Sequence, residues 1–200
     1  LGVNHLSAYA LTVEEGTALA HAIKLGKEEA PEDELALQHF ILLQEWAQDK
    51  GWNHYEISNL AKPGNEAFHN SSYWRGVEYL GLGPSAHGYK NNTRYWNVSN
   101  NALYRKSLEK GELPQETERL HENDLWNEKV MTQLRLNTGL SLKFLDDISG
   151  ESQKLEVLNT IESMLLKGKL IQKNNALIIP ENQRFFSDGI AAELFLLSGE

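Results

Sequence analysis

The sequence predicts an α/β unit followed by a helical, winged-helix-like domain, and three observations carry that reading. Strand-like and helix-like segments alternate through the first half. Composition changes near residue 110: all seven Tyr, four of the five Trp and six of the seven His precede it, while the last 86 residues hold 16 Leu. The second half reads as helices, a short hairpin and a last helix, the order of a winged helix. Between the halves, Lys110-Gly111-Glu112-Leu113-Pro114 reads as a linker, so units are expected at 1–112 and 115–200.

Taken in order, Val3 to Leu11 is a β-prone run that ends at Glu14-Glu15-Gly16-Thr17. Pro31 suits a first helical position, and Glu32, Asp33 and Glu34 favour the positive end of a helix dipole. Ala36, Phe40, Leu43 and Ala47 recur at helical spacing, and Gly51 supplies the stop. Trp52 to Leu60 reads as the next strand. Residues 118–136 follow as a helix carrying Leu125, Val130, Leu134 and Leu136. A short helix is expected from Ser141 to Ile148, stopped at Gly150. The next, 152–167, places Leu155, Leu158, Ile161 and Leu165 on one face. Lys169–Gln172 and Ala176–Ile179 then pair across Lys173-Asn174-Asn175.

Bulk composition narrows the function classes. A 200-residue, 22.7 kDa chain folded compactly has an accessible surface of roughly 9,500 Å². Zero Cys excludes disulfides, thiolate catalysis and any cysteine-held cluster within these residues. The balance of 19 Lys+Arg against 28 Asp+Glu, net −9, argues against non-specific binding to nucleic acid or anionic membrane. No apolar run is long enough to span a bilayer and no signal peptide is visible, so a cytoplasmic location is expected. The chain opens on Leu1, which predicts that an upstream segment is missing.

Gly81-Leu82-Gly83-Pro84-Ser85-Ala86 matches a dinucleotide fingerprint only on paper, because Pro84, Gly88 and Asn91-Asn92 interrupt the helix that would follow. A glycine-rich strand end that lets backbone approach a ligand fits better. The winged-helix pattern raises DNA binding, yet the candidate recognition helix exposes Glu151, Lys154, Glu156, Asn159, Glu162 and Ser163, a mixed and slightly acidic face. His69-Asn70-Ser71-Ser72-Tyr73-Trp74 stands apart. Asn70 reads as the N-cap of a short helix that Gly76 ends, with His69 just outside its first turn. Two readings of it stay open. One is an aromatic knuckle with a hydrogen-bonded histidine. The other is an imidazole presented to iron beside rings that stack on a macrocycle, with Arg75 and Arg94 available to neutralise carboxylates.

Tyr55-Glu56-Ile57-Ser58-Asn59-Leu60-Ala61, the HNSSYW string and Tyr79-Leu80-Gly81-Leu82-Gly83-Pro84-Ser85-Ala86-His87 together resemble the radical-SAM coproporphyrinogen III oxidase-like family, most of all its haem-chaperone branch, HemW. His5 to Leu11, Glu15-Gly16-Thr17, Glu118-Arg119 and Leu134-Arg135…Gly139 continue the resemblance along essentially the whole chain. It implies part of a radical-SAM (β/α) barrel followed by a winged-helix-like C-terminal domain. It implies haem contacts from His69, Asn70, Tyr73 and Trp74, with His69 as ligand to the haem iron, and S-adenosylmethionine contacts from Ala10 and His87. The family's 4Fe–4S cysteines are absent here, so no radical chemistry is expected of these residues alone. Phe68 and Ser85 depart from the family pattern, the latter standing where a glycine is usual. The function implied is haem binding and delivery to haem-accepting enzymes, with a homodimer as a further expectation. The alternative is a fragment of an oxygen-independent coproporphyrinogen III oxidase; the HNSSYW string favours the chaperone.

Overall fold

The computed structural model describes residues 2–197. The chain begins with β1 (His5–Ser7), α1 (Ala18–Lys24), α2 (Asp33–Asp49), β2 (Asn53–Glu56), β3 (Asn59–Ala61) and α3 (Phe68–Trp74). It continues with β4 (His87–Lys90), β5 (Thr93–Asn97), α4 (Asn101–Glu109), β6 (Gln115–Arg119) and α5 (Glu122–Leu134). The last part holds β7 (Leu140–Ser141), a 3-10 turn (Leu142–Asp147), α6 (Glu151–Leu166), β8 (Ile171–Lys173), β9 (Ala176–Ile178), a second 3-10 turn (Glu181–Phe186) and α7 (Ser187–Ala192). Three small antiparallel sheets run in the orders β1-β3-β2, β4-β5-β6 and β7-β9-β8.

α2 buries the stripe its spacing predicts: Ala47 is sealed, and Ala36, Phe40 and Leu43 are half-buried. It starts at Asp33 rather than Pro31, with Glu32 extended at the N-cap. Residues 52–60 form two strands instead of one. The Glu56 carboxylate accepts from Ser58 N at 3.0 Å and from Asn59 Nδ2 at 2.6 Å, which folds the chain back on itself after Glu56. β3 thereby sits between β1 and β2, and β1 pairs Leu6 with Leu60. Two helices unforeseen in the sequence are both capped by a side chain. Thr17 Oγ1 accepts from Ala20 N at 3.2 Å to start α1, and Asn100 Oδ1 accepts from Leu103 N at 3.0 Å to start α4.

Lys110 to Pro114 carries the chain from α4 into β6, which pairs with β5 from Thr93↔Arg119 to Asn97↔Gln115. The predicted linker is therefore a connection inside the second sheet, and the expected helix 118–136 begins only at Glu122. We propose that the division into two parts falls after Arg119.

The last part has the winged-helix order α5, β7, turn, α6, β8, β9, then α7. Its core is contiguous: Trp126, Val130 and Leu134 from α5 meet Val157, Ile161 and Met164 from α6 and Leu177 from β9. The buried face of α6 is rotated from the predicted one, since Leu155 and Leu158 are exposed and Val157 and Met164 take their places. Both stripes satisfy a 3.6-residue period, and packing against α5 and β9 selects between them. The β8–β9 hairpin turns where predicted, with Asn174 in the left-handed region at φ 54°.

Polar contacts join this core to the first part. Glu56, 1% exposed, accepts from Arg135 Nε at 3.1 Å, and Arg135 Nη1 donates to Asp188 at 2.6 Å. Arg184, also buried, donates from Nη1 to the His54 carbonyl at 2.8 Å. Asn137 N donates to the Tyr55 carbonyl at 3.1 Å, so the outer edge of β2 is covered. No helix among the described residues is long and apolar enough to cross a membrane.

Two outcomes are expected. Glu56→Ala strips the acceptor from a half-buried guanidinium, a buried amide and a buried Asn and removes a fully buried carboxylate, and costs about 3–5 kcal/mol in urea unfolding; Asp188→Ala, at the exposed end of the same arginine, costs less than about 1 kcal/mol. His54 is the pH-sensitive group: burial, then the Arg184 charge, lower its pKa from 6.5 to about 4. Its folded pKa lies below its unfolded one, so its stabilisation is complete above pH 6.5 and disappears as pH falls towards 4. Denaturation at pH 7.5 and 4.5 checks this: the wild type loses about 2–3 kcal/mol more than His54→Gln, which carries no proton to gain.

Candidate functional site

α3 spans Phe68–Trp74 with Ala67 at its N-cap, so Asn70 lies inside the first turn and caps nothing. The helix starts earlier than predicted because Ser71 N reaches the Ala67 carbonyl at 2.9 Å and Ser72 Oγ donates to the Phe68 carbonyl at 2.9 Å. Gly76, at φ 67°, ends it as expected. Asn70 instead ties the helix to the sheet: its Nδ2 donates to Tyr55 Oη at 3.4 Å, and Tyr55 Oη lies 2.9 Å from His5 Nε2. That relay fixes one side of α3 and turns the other outward.

His69 and Tyr73, one helical turn apart, stand on the exposed side. His69 Nε2 lies 3.1 Å from Tyr73 Oη, with the rings edge to face at 5.0 Å. Tyr73 in turn packs edge to face on Tyr79 at 4.8 Å. Tyr79 exchanges both backbone hydrogen bonds with Tyr89, at 3.0 Å each, which anchors this aromatic row to β4.

Trp74 points towards the second part. The Arg135 guanidinium lies 5.4 Å from its ring centroid, and Gln133 Nε2 donates to its carbonyl at 2.6 Å. Its Nε1 is buried without a hydrogen-bond partner. One face of the indole is thus committed to Arg135, while its rim joins Tyr73, Tyr79, Tyr89, Met131 and Phe144 in lining a cleft of about 790 Å³ between α3, the second sheet and α5. That volume falls in the range of small-molecule and cofactor pockets.

Charge in the cleft is mostly self-compensated. Arg94 pairs with Glu118 at 3.5 Å and with Glu128, and Lys129 pairs with Asp147. Arg94 is therefore committed to protein carboxylates, whereas Arg75 makes no ion pair among the described residues. Tyr79 has its pKa raised, first by burial and then by Tyr73, so its phenol stays protonated across the physiological range.

The glycine-rich stretch is explained by backbone proximity. A Cβ on Gly81 would sit 2.2 Å from the His87 carbonyl oxygen, and Asn97 Nδ2 donates to the Gly83 carbonyl at 2.8 Å. Ser85 occupies the left-handed region at φ 59°, where the family's usual glycine carries no penalty. His87 opens β4, exposed, with its ring stacked on Trp96 at 6.2 Å. Ala10 is exposed in the extended segment after β1. No hydrogen bond or ring contact links Ala10 or His87 to α3 among the described residues. Nor do any three His, Cys, Asp or Glu among those residues form a metal-holding group.

The structure therefore brings Tyr73 and Trp74 to one end of the cleft, with His69 outside its lining and joined to it through Tyr73, Asn70 turned to Tyr55, and Ala10 and His87 elsewhere. Sequence reasoning missed the cleft itself, because its walls come from α3, β4–β6, α5 and the 142–147 turn. It also missed the Arg135 clamp, though Arg135 stands within the Leu134-Arg135…Gly139 stretch that continues the resemblance.

No protein-family model matches the chain. Among curated proteins, the heme chaperone HemW of Mycobacterium tuberculosis is 36% identical over 194 residues, covering 96% of this chain and 48% of that protein. The Bacillus subtilis heme chaperone HemW is 27% identical over 191 residues, 95% of this chain and 50% of that protein. The mitochondrial radical S-adenosyl methionine domain-containing protein 1 of Danio rerio is 28% identical over 163 residues, 77% of this chain and 37% of that protein. The chain thus spans about half the length of the curated relatives it matches. Among solved structures, the coproporphyrinogen III oxidase HemN of Escherichia coli, a radical SAM enzyme, superposes with TM-score 0.69 over 96% of this chain and 48% of its own, at 16% identity. Sequence and fold agree: the chain is homologous to the C-terminal half of HemW heme chaperones and shares the fold of the corresponding half of HemN.

Proposed function

We propose that this part of the protein binds haem at α3, with His69 as ligand to the iron and Tyr73 and Trp74 beside the porphyrin, and that the intact protein passes haem to haem-accepting enzymes. The observation that carries the reading is the placement of an exposed imidazole on a helix whose next turn supplies the aromatic wall of a roughly 790 Å³ cleft. The site is chemically suited to the cargo. A histidine is a common ligand to haem iron, Tyr73, Tyr79 and Tyr89 offer ring edges and faces, and Arg75 offers a cation that makes no ion pair among the described residues. A single exposed ligand favours release, which a carrier requires and a permanent cofactor site does not. The HemW names of the curated relatives point the same way.

Ala10 and His87 are proposed as the S-adenosylmethionine contacts of the intact protein. Thiolates for a 4Fe–4S cluster would have to come from outside these 200 residues, which hold no Cys. The winged-helix part is proposed as a docking and packing element rather than a DNA reader. The exposed side of α6 presents Glu151, Glu156 and Glu162 with Leu155 and Leu158, the wrong charge for phosphates.

A haemin titration followed by the Soret band tests the haem site. Wild type and His87→Ala are expected to give the same band shift and affinity, and His69→Ala to lose at least tenfold in affinity together with the shifted band. An unchanged affinity and spectrum in His69→Ala would place the site elsewhere.

A further inference from the structure

The nitrogen that would face a metal is already engaged. His69 Nε2 lies 3.1 Å from the Tyr73 hydroxyl. In one tautomer the hydroxyl donates to the Nε2 lone pair, and in the other Nε2–H donates to the hydroxyl oxygen; either way that nitrogen has no lone pair free for iron. Ligation through Nε2 therefore requires the tyrosine to let go. Tyr73 can do so without losing its other support, because its ring rests on Tyr79 at 4.8 Å and Tyr79 is fixed to β4 through its backbone. Tyr73 also lines the cleft, so a phenol released from His69 turns within a space that already borders it.

We infer that Tyr73 is a displaceable cap on His69: its hydroxyl and the porphyrin iron compete for Nε2, and the exchange sets how readily haem is taken up and given away. The inference rests on the haem reading above and specifies the regulation of that site. In it Tyr73 is a positioning residue with two jobs, a ring that packs and a hydroxyl that opposes binding. A carrier gains from the second job, because the departing iron is replaced at Nε2 by an intramolecular partner held one helical turn away.

The test separates ring from hydroxyl. Tyr73→Phe keeps the contacts with His69 and Tyr79 and removes the competing group. A neutral hydrogen bond of ordinary net strength corresponds to roughly twofold to tenfold in affinity. Tyr73→Phe is thus expected to bind haemin roughly twofold to tenfold more tightly than wild type, with slower transfer of haem to apomyoglobin. The effect is expected to vanish in the His69→Ala background, as a direct coupling between the two residues demands. Independently of haem, ¹⁵N spectra of the histidine side chains are expected to show the His69 Nε2 resonance moving in Tyr73→Phe while the other imidazoles stay in place. Equal or weaker haemin binding by Tyr73→Phe, with His69→Ala still defective, overturns the exchange and leaves the haem site standing. A Tyr73→Phe gain that persists without His69 overturns it as well. If His69→Ala binds haemin as wild type does, the haem reading itself fails and the exchange with it.

Discussion

Everything that shapes the candidate site hangs on one buried carboxylate. Glu56 is 1% exposed and spends its two oxygens on opposite sides of the molecule. Oε2 takes Ser58 N and Asn59 Nδ2 and so turns the chain from β2 into β3; Oε1 takes Arg135 at the end of α5. A carboxylate without partners in such a place is strongly unfavourable. The turn, the first sheet and the winged-helix part therefore assemble together or leave that charge uncompensated. The adjoining bridge between Glu56 and Leu136, and the Asn137-to-Tyr55 hydrogen bond, show the backbone following the side chains.

The same arginine carries the constraint on to α3. Arg135 reaches Glu56 and Asp188 with its nitrogens and sets its Cζ over the Trp74 ring. Three groups from three segments meet on one guanidinium, whose planar fork suits simultaneous hydrogen bonding and stacking. On the opposite side α3 is tied by Asn70 through Tyr55 to His5. A seven-residue helix has little stability of its own, and here it is held at both flanks. What remains unheld is the side bearing His69 and Tyr73. The motif thus divides its labour: Asn70 and Trp74 fasten the helix, and His69 and Tyr73 are what it presents.

That division explains how much was legible in sequence. Local signals were readable: the α2 stripe ending in Ala47, the Gly76 stop, the hairpin at Asn174, and the family resemblance along the chain. Signals that depend on a distant partner were not. Asn70 carries the chemistry of an N-cap, and its position after Phe68-His69 suggested that role; in the structure a tyrosine from β2 claims its side chain. Residues 52–60 have the composition of one long strand, and only the Glu56 carboxylate, itself dependent on Arg135, folds them into a hairpin. The Lys110–Pro114 stretch has the residues of a linker, yet β6 beyond it completes the sheet of β5. For α6, two apolar stripes fit one helical period, and sequence offers no way to choose between Leu155-Leu158 and Val157-Met164. The cleft was illegible for a deeper reason. No single segment contains it; it is the gap left where α3, the second sheet and α5 fail to close on one another.

The distribution of stability follows from where apolar side chains pack. The large core cluster lies between Trp126 and Leu196, whereas the sealed apolar residues of the first part are Ala47, Tyr55, Leu60 and Ala61. Accessible surface totals 13433 Å², well above the roughly 9,500 Å² of a compact chain of this mass, and Leu11, Phe68, Leu80 and Leu82 are among the apolar residues left in solvent. Within these residues, which span about half the length of the relatives, the first part is held by polar contacts to its neighbour more than by sealed apolar side chains. Elements with few buried contacts open at low free-energy cost, and α3 belongs to this group, having no fully buried residue. The winged-helix core supplies a wall through Arg135, Gln133 and Met131, to which α3 is fastened at Trp74 while its His69 side stays exposed.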